Sequence, residues 1–130
     1  VDALPSASFF PRAGQLEFSF IFNSWGAGSS GGLTTMRTLL GGFDRERGFG
    51  ANNRGRYLNP EVDRRIHEAF GTMEDAAREA LVREATAIAM RDYAVLPTHY
   101  MTNIWATRAN VLYEPRMDGF TLATSARPRA

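Results

Sequence analysis

The sequence predicts a mixed α/β fold, a small sheet with packed helices. Three observations carry that prediction. An apolar run alternates over Leu16–Phe22, two helix patterns with start signals begin at Asn59 and Thr72, and bulky extended runs follow Val95. Alternation marks a half-buried strand, and apolar residues three and four apart mark one face of a helix.

Residues 1–14 contain Pro5, Pro11 and Gly14. They predict at most one short edge strand, the place where a sheet tolerates proline. In the next segment Leu16, Phe18, Phe20 and Phe22 alternate with Glu17, Ser19 and Ile21, a β pattern. A loop rich in Gly and Ser follows over 23–32. Leu33, Met36 and Leu40 then recur at helical spacing, and Gly41 and Gly42 end that helix. The segment "FDRERGFGANNRGRYL", residues 43–58, is polar and bears glycine, so it reads as a long loop.

Asn59 is a good helix N-cap, Pro60 suits the first helical position, and Glu61 and Asp63 complement the positive end of the helix. Val62, Ile66 and Phe70 form the apolar stripe, and Gly71 ends the helix. Thr72, with Asp75 three residues on, approximates a capping box for a second helix. Its buried face is Ala77, Leu81, Ala85 and Ile88. Val95–Pro97 and His99–Thr107 are extended candidates, and Phe120–Ala123 is one more possible strand.

The chain has 130 residues, 44% of them hydrophobic and 22% charged, a globular composition of single-domain length. No apolar run approaches the ~20 residues of a membrane span. The formal net charge of +1 argues against nucleic acid as the main partner. All 15 basic residues are Arg and there is no Cys, which excludes disulfides, thiolate metal sites and cysteine catalysis. Two His without an acidic cluster make a poor metal site, so neither metal nor cofactor is expected. The opening residues, "VDALPSASFFPRAG", show no basic start and no continuous apolar block, and read as the interior of a longer chain.

Two catalytic-looking signatures overlap in the Gly/Ser loop. Gly26–Gly31 fits G-x-G-x-x-G, and Gly28-Ser29-Ser30-Gly31-Gly32 fits G-x-S-x-G. The dinucleotide reading needs a second central strand ending in an acid about 20 residues past the glycines. Asp44 and Glu46 stand near that distance, in a stretch with no apolar run. The serine-hydrolase reading needs an acid and a His to join Ser30. Asp63 precedes His67 by four and Asp92 precedes His99 by seven, but nothing in the sequence brings either pair to Ser30. The plain alternative is a tight exposed loop. Beside it, Trp25 is either a ligand platform or a core residue, and composition leaves both open.

Residues 55–111, "GRYLNPEVDRRIHEAFGTMEDAAREALVREATAIAMRDYAVLPTHYMTNIWATRANV", resemble the C-terminal part of the peptide/nickel class of extracellular solute-binding proteins, which serve bacterial ABC importers. Tyr57, Asn59, Pro60 and Asp63 fit the family's Tyr, Asn-Pro and Asp pattern. Asp75 and Arg78 approximate its next helix start, and Asp92 with Val95-Leu96-Pro97 fits its helix end and strand. Asn103–Arg108 matches the strand and Arg that follow, and Phe18–Trp25 stands where the family has a strand and a Trp-bearing loop.

The resemblance implies that this chain is part of a two-lobed, non-enzymatic periplasmic protein. In it the Trp loop lines the cleft that closes on a peptide-like or other small solute, for delivery to membrane permease subunits. Residues 1–102 would belong to the second lobe, and 103–130 would run back toward the first. The expected ligand contacts are Asn23, Trp25, Gly26, Gly28 and Ser29, with His99 and Tyr100 as weaker candidates. Gly28 stands where peptide-binding members commonly carry an Asp, and Phe22 where some carry an Arg. Two charge anchors for a peptide are therefore missing from this stretch. Trp105, Val111 and Phe120 would lose partners in the isolated chain, so self-association is expected. The rival readings are a serine hydrolase using the Gly28–Gly32 loop and a structural or protein-interaction domain.

Overall fold

A computed structural model describes residues 2–26 and 32–129 of the chain. They divide into two compact units, Val1–Pro97 and Thr98–Ala130. Among the described residues there are four α-helices, all in the first unit, and one two-stranded antiparallel sheet, in the second. No helix is long and apolar enough to cross a membrane.

The first unit is built on a helical hairpin. α3 spans Pro60–Gly71 and α4 spans Asp75–Arg91, and α2, Leu33–Leu39, packs on both. One core joins them: Leu33, Met36 and Leu40 from α2 and its end, Val62, Ile66 and Ala69 from α3, and Ala85 and Ala89 from α4. Burying an aliphatic side chain such as Ile66 contributes about 1.5–3 kcal/mol. The alanines of α4 let the helices approach closely. Arg65 bridges the hairpin, its Nε donating to Glu84 Oε2 at 2.9 Å while its other end holds Glu61.

The cap of α3 forms as its sequence predicts, with Asn59 Oδ1 accepting from the Glu61 N–H at 3.0 Å and Pro60 at the first position. The stripe differs at its last member. Ala69 is buried, whereas Phe70 is 44% exposed, because the buried face steps by four and then by three. The start of α4 also differs. Glu74 is its N-cap, accepting from the Ala76 and Ala77 N–H groups at 2.9 and 2.6 Å. Thr72 instead closes α3, its hydroxyl donating to the Glu68 carbonyl at 2.8 Å. Ala77 lies exposed, and Ala89 takes its place in the buried face.

Three predicted strands of the first unit are absent. Residues 6–14 form a helix, α1 (Ser6–Gly14), with Pro11 inside it. Phe9 stacks on Phe18 at 5.7 Å and Arg54 lies over Phe10 at 5.3 Å, contacts that local propensity does not register. Leu16–Phe22 is irregular. Leu16 has φ +61°, and no strand among the described residues lies alongside to pair with its backbone. Val95–Pro97 is irregular as well.

The loop 43–58 is ordered by the end of α2. The Gly50 N–H donates to the Arg37 carbonyl and the Asn52 N–H to the Thr38 carbonyl, at 2.9 and 3.0 Å, so the loop satisfies carbonyls that the helix end leaves open. Gly50 is required here: its φ is +62°, and a Cβ would meet the Gly41 carbonyl oxygen at 2.5 Å. Asn53, 3% exposed, is the knot of this segment. Its Nδ2 donates to the carbonyls of Gly41 (3.0 Å) and Tyr57 (2.7 Å), and its Oδ1 accepts from the Tyr57 N–H (2.9 Å).

In the second unit β1 (Val111–Tyr113) pairs with β2 (Ala126–Pro128), Leu112 opposite Arg127, and a single 3₁₀ turn at Ala123–Ser125 precedes β2. The second strand therefore follows the predicted Phe120–Ala123 position instead of occupying it. His99–Thr107 is irregular rather than extended in a sheet. Trp105 donates to Thr121 Oγ1 at 2.9 Å and its ring lies 6.0 Å from that of Tyr113, which gives this unit its small apolar centre.

Asn53→Ala removes three hydrogen bonds and leaves their partners without the amide. It is expected to lower stability by about 2–4 kcal/mol, read as a fall in the urea midpoint at constant slope. Asn53→Asp keeps the acceptor but turns the donor against two carbonyls, and is expected to be no better. An unchanged midpoint in both variants would show that the knot is dispensable.

Candidate functional site

The expected contact residues fall on one segment. Asn23, Trp25 and Gly26 lie within four residues on an exposed, irregular stretch, whereas Gly28 and Ser29, with Ser30, lie outside the described residues. Trp25 is 44% exposed, so it is not a core residue. Its indole N–H donates to Thr35 Oγ1 on α2 at 3.2 Å, which fixes the ring by its polar edge and leaves ring surface in solvent. A Cβ on Gly26 would meet nothing within 4 Å. His99 and Tyr100 are exposed in the second unit.

Tyr57 and Asn59 join Asp92 in one network. Tyr57 Oη donates to Asp92 Oδ2 at 2.6 Å, and Asn59 Nδ2 donates to the same oxygen at 2.7 Å. Asn59 thus caps α3 with one end of its amide and grips the end of α4 with the other. Asp63 turns the opposite way and accepts from the Gly42 N–H through Oδ1 at 2.7 Å. The approach is tight: a Cβ on Gly42 would stand 2.7 Å from Asp63 Oδ2. The four elements that meet here are the end of α2, the segment before α3, the first turn of α3 and the end of α4.

The electrostatics follow from this geometry. The Tyr57 hydroxyl is pushed up to about 12 from an ordinary 10.0, first by removal from water and then by its hydrogen bond to the Asp92 carboxylate. Asp92 is held below the usual carboxylate range by the hydrogen bonds from Tyr57 and then Asn59.

Beside this network lies an open hollow of about 400 Å³. The turn that follows α2 supplies Gly42, Phe43, Asp44, Arg47 and Phe49. The segment before α3 supplies Arg56, Tyr57 and Leu58, and α3 supplies Asp63 and His67. Asp44 is spent on the turn, its Oδ1 accepting from the Glu46 and Arg47 N–H groups at 3.0 Å each. His67 stacks on Phe49 at 4.4 Å. Arg56 lies 3.7 Å over the Phe43 ring and has φ +51°. By its sequence this region is a polar loop, and Gly41, Gly42 and Gly50 are the signal of its close approaches.

The acids and His of the rival readings have these same local roles. Asp44 shapes a turn, Asp63 holds the Gly42 N–H, and Asp92 holds Tyr57 and Asn59. Among the described residues no three His, Asp or Glu side chains are placed to hold a metal ion. Comparison with protein-family models, curated proteins and solved structures finds no match to the chain.

The pH dependence of stability tests the network. The unfolded chain releases the Tyr57 proton near pH 10 and the folded chain near pH 12, so this group's stabilising contribution is present below pH 10 and is lost as pH rises to 12. Asp92 acts in the opposite direction: its depressed folded value adds stability above the ordinary carboxylate range, lost as pH falls below about 4. Tyr57→Phe removes one shift and the main cause of the other. Melting temperatures across pH 2–12 should therefore fall less steeply at both extremes than in the wild type. Parallel profiles for the two proteins would contradict the network.

Proposed function

We propose that this chain is part of the second lobe of a periplasmic solute-binding subunit of an ABC importer, with no catalytic role. The observation that supports the reading is that residues of the family-like pattern, some 33–35 positions apart, act on one another: Tyr57 and Asn59 both donate to Asp92.

The solute would be met by the segment of Asn23, Trp25 and Gly26, continued by Gly28 and Ser29. Trp25 suits that role because its N–H is already engaged by Thr35, so a ligand would use the exposed ring surface. With Gly28 and Phe22 in place of charged residues, the loop offers stacking and backbone groups, and a charged end of the solute would be met elsewhere. The mechanism is hinge closure of two lobes around the solute, followed by recognition of the closed form by permease subunits.

Trp25→Ala in the full-length protein tests this reading. It is expected to weaken solute binding by roughly five- to a hundredfold, the equivalent of about 1–3 kcal/mol of lost apolar cover. The denaturation midpoint of the unliganded protein should stay nearly constant, as befits a half-exposed ring. Unchanged affinity, measured by calorimetry with solute found by thermal-shift screening, would reject the platform.

A further inference from the structure

The hollow beside the Tyr57 network is a candidate site in its own right. It uses none of the residues of the Trp25 segment, so it stands or falls separately from the reading above. Two of its features call for explanation. The Arg56 guanidinium lies over the Phe43 ring and makes no hydrogen bond or ion pair among the described residues, and its backbone sits in the left-handed region that bulky residues avoid. Phe43 and Leu58, at the rim, are 51% and 69% exposed. The buried Asn53 knot fixes the backbone of Tyr57, the residue after Arg56, and the Arg56 N–H donates to the Asn53 carbonyl at 3.2 Å. The strained position is thus held from both sides.

The charges limit what fits. Two arginines and two aspartates line the hollow, and both carboxylates already accept backbone N–H groups. Arg47 is drawn to Asp44, with Nε 3.6 Å from Oδ2. What is left is a surplus of donors at Arg56 beside apolar surface, in a wall whose formal charges cancel. One negative charge is matched by Arg56, whereas a second would meet the aspartates uncompensated. A guanidinium fork offers a carboxylate two parallel hydrogen bonds, and a flat ring suits the space beside Phe43 and Leu58. The volume, about 400 Å³, is within the range of small-ligand sites.

We propose that this hollow binds a small aromatic monocarboxylate, the carboxylate on Arg56 and the ring against Phe43 and Leu58. The test is calorimetric titration of the 130-residue chain with benzoate, phenylacetate and indole-3-acetate, each compared with its neutral amide, and with inorganic phosphate as a bare anion. At least one carboxylate should bind saturably, and its amide and phosphate should bind at least about tenfold more weakly. Arg56→Gln should cost a similar factor, and Arg56→Lys should recover part of it. Arg45→Gln, the same charge change on the same loop but outside the hollow, should cost nothing. Leu58→Ala removes an exposed side chain, so it keeps the fold and should weaken the carboxylate alone. No saturable binding, equal binding of acid and amide, phosphate binding as tight as any carboxylate, or indifference to both Arg56→Gln and Leu58→Ala would each overturn the proposal.

Discussion

The amide of Asn53 is the fixed point of the first unit. α2 is too short to hold its own end, and the polar segment that follows has few apolar side chains to anchor it. Asn53 solves both problems, gripping the Gly41 carbonyl at the end of α2 and both backbone groups of Tyr57. With Tyr57 fixed, Asn59 arrives at the start of α3 with its amide aimed at Asp92, and Asp63 arrives one turn later beside Gly42. The buried faces of α2, α3 and α4 then meet in register. Burying one polar side chain is tolerable because every hydrogen-bonding direction it uses here has a partner.

Glycine sets how close this assembly is. Gly41, Gly42 and Gly50 lie where a Cβ would stand under 3.0 Å from neighbouring atoms. At Gly41 and Gly50 backbone packs on backbone, and at Gly42 the Asp63 and Leu58 side chains take the space a Cβ would fill, which helps order a polar stretch of this length. The same arrangement leaves Phe43 and Leu58 without a place inside, so they border the hollow.

The legible parts of the fold are those with local causes. The α3 cap at Asn59, the spacing of Leu33, Met36 and Leu40, and the buried Val62 and Ile66 all follow from neighbours within a turn or two. The misread parts depend on distant partners. Leu16–Phe22 alternates like a strand, but a strand exists only where another pairs with it, and the described part of the first unit offers none. Residues 6–14 form a helix despite Pro11, with Phe18 and Arg54 packed against its aromatic residues. Glu74 outcompetes Thr72 as a cap by reaching two N–H groups at once. For the candidate site, the sequence marked Trp25, but Thr35 as the anchor of its indole, and Arg56 over Phe43, required knowledge of the folded loop.

The two tryptophans are disposed in a way that has an optical consequence. There is one in each compact unit, Trp25 in Val1–Pro97 and Trp105 in Thr98–Ala130, and each indole N–H is held by a threonine hydroxyl. Indole emission responds to the polarity and hydrogen bonding of its surroundings, so each ring reports on the unit that holds it. Replacing either one with phenylalanine leaves a single fluorophore whose red shift during denaturation follows one unit alone. The chain therefore carries, without any label, the means to ask whether its helical and sheet-bearing units melt together or one after the other.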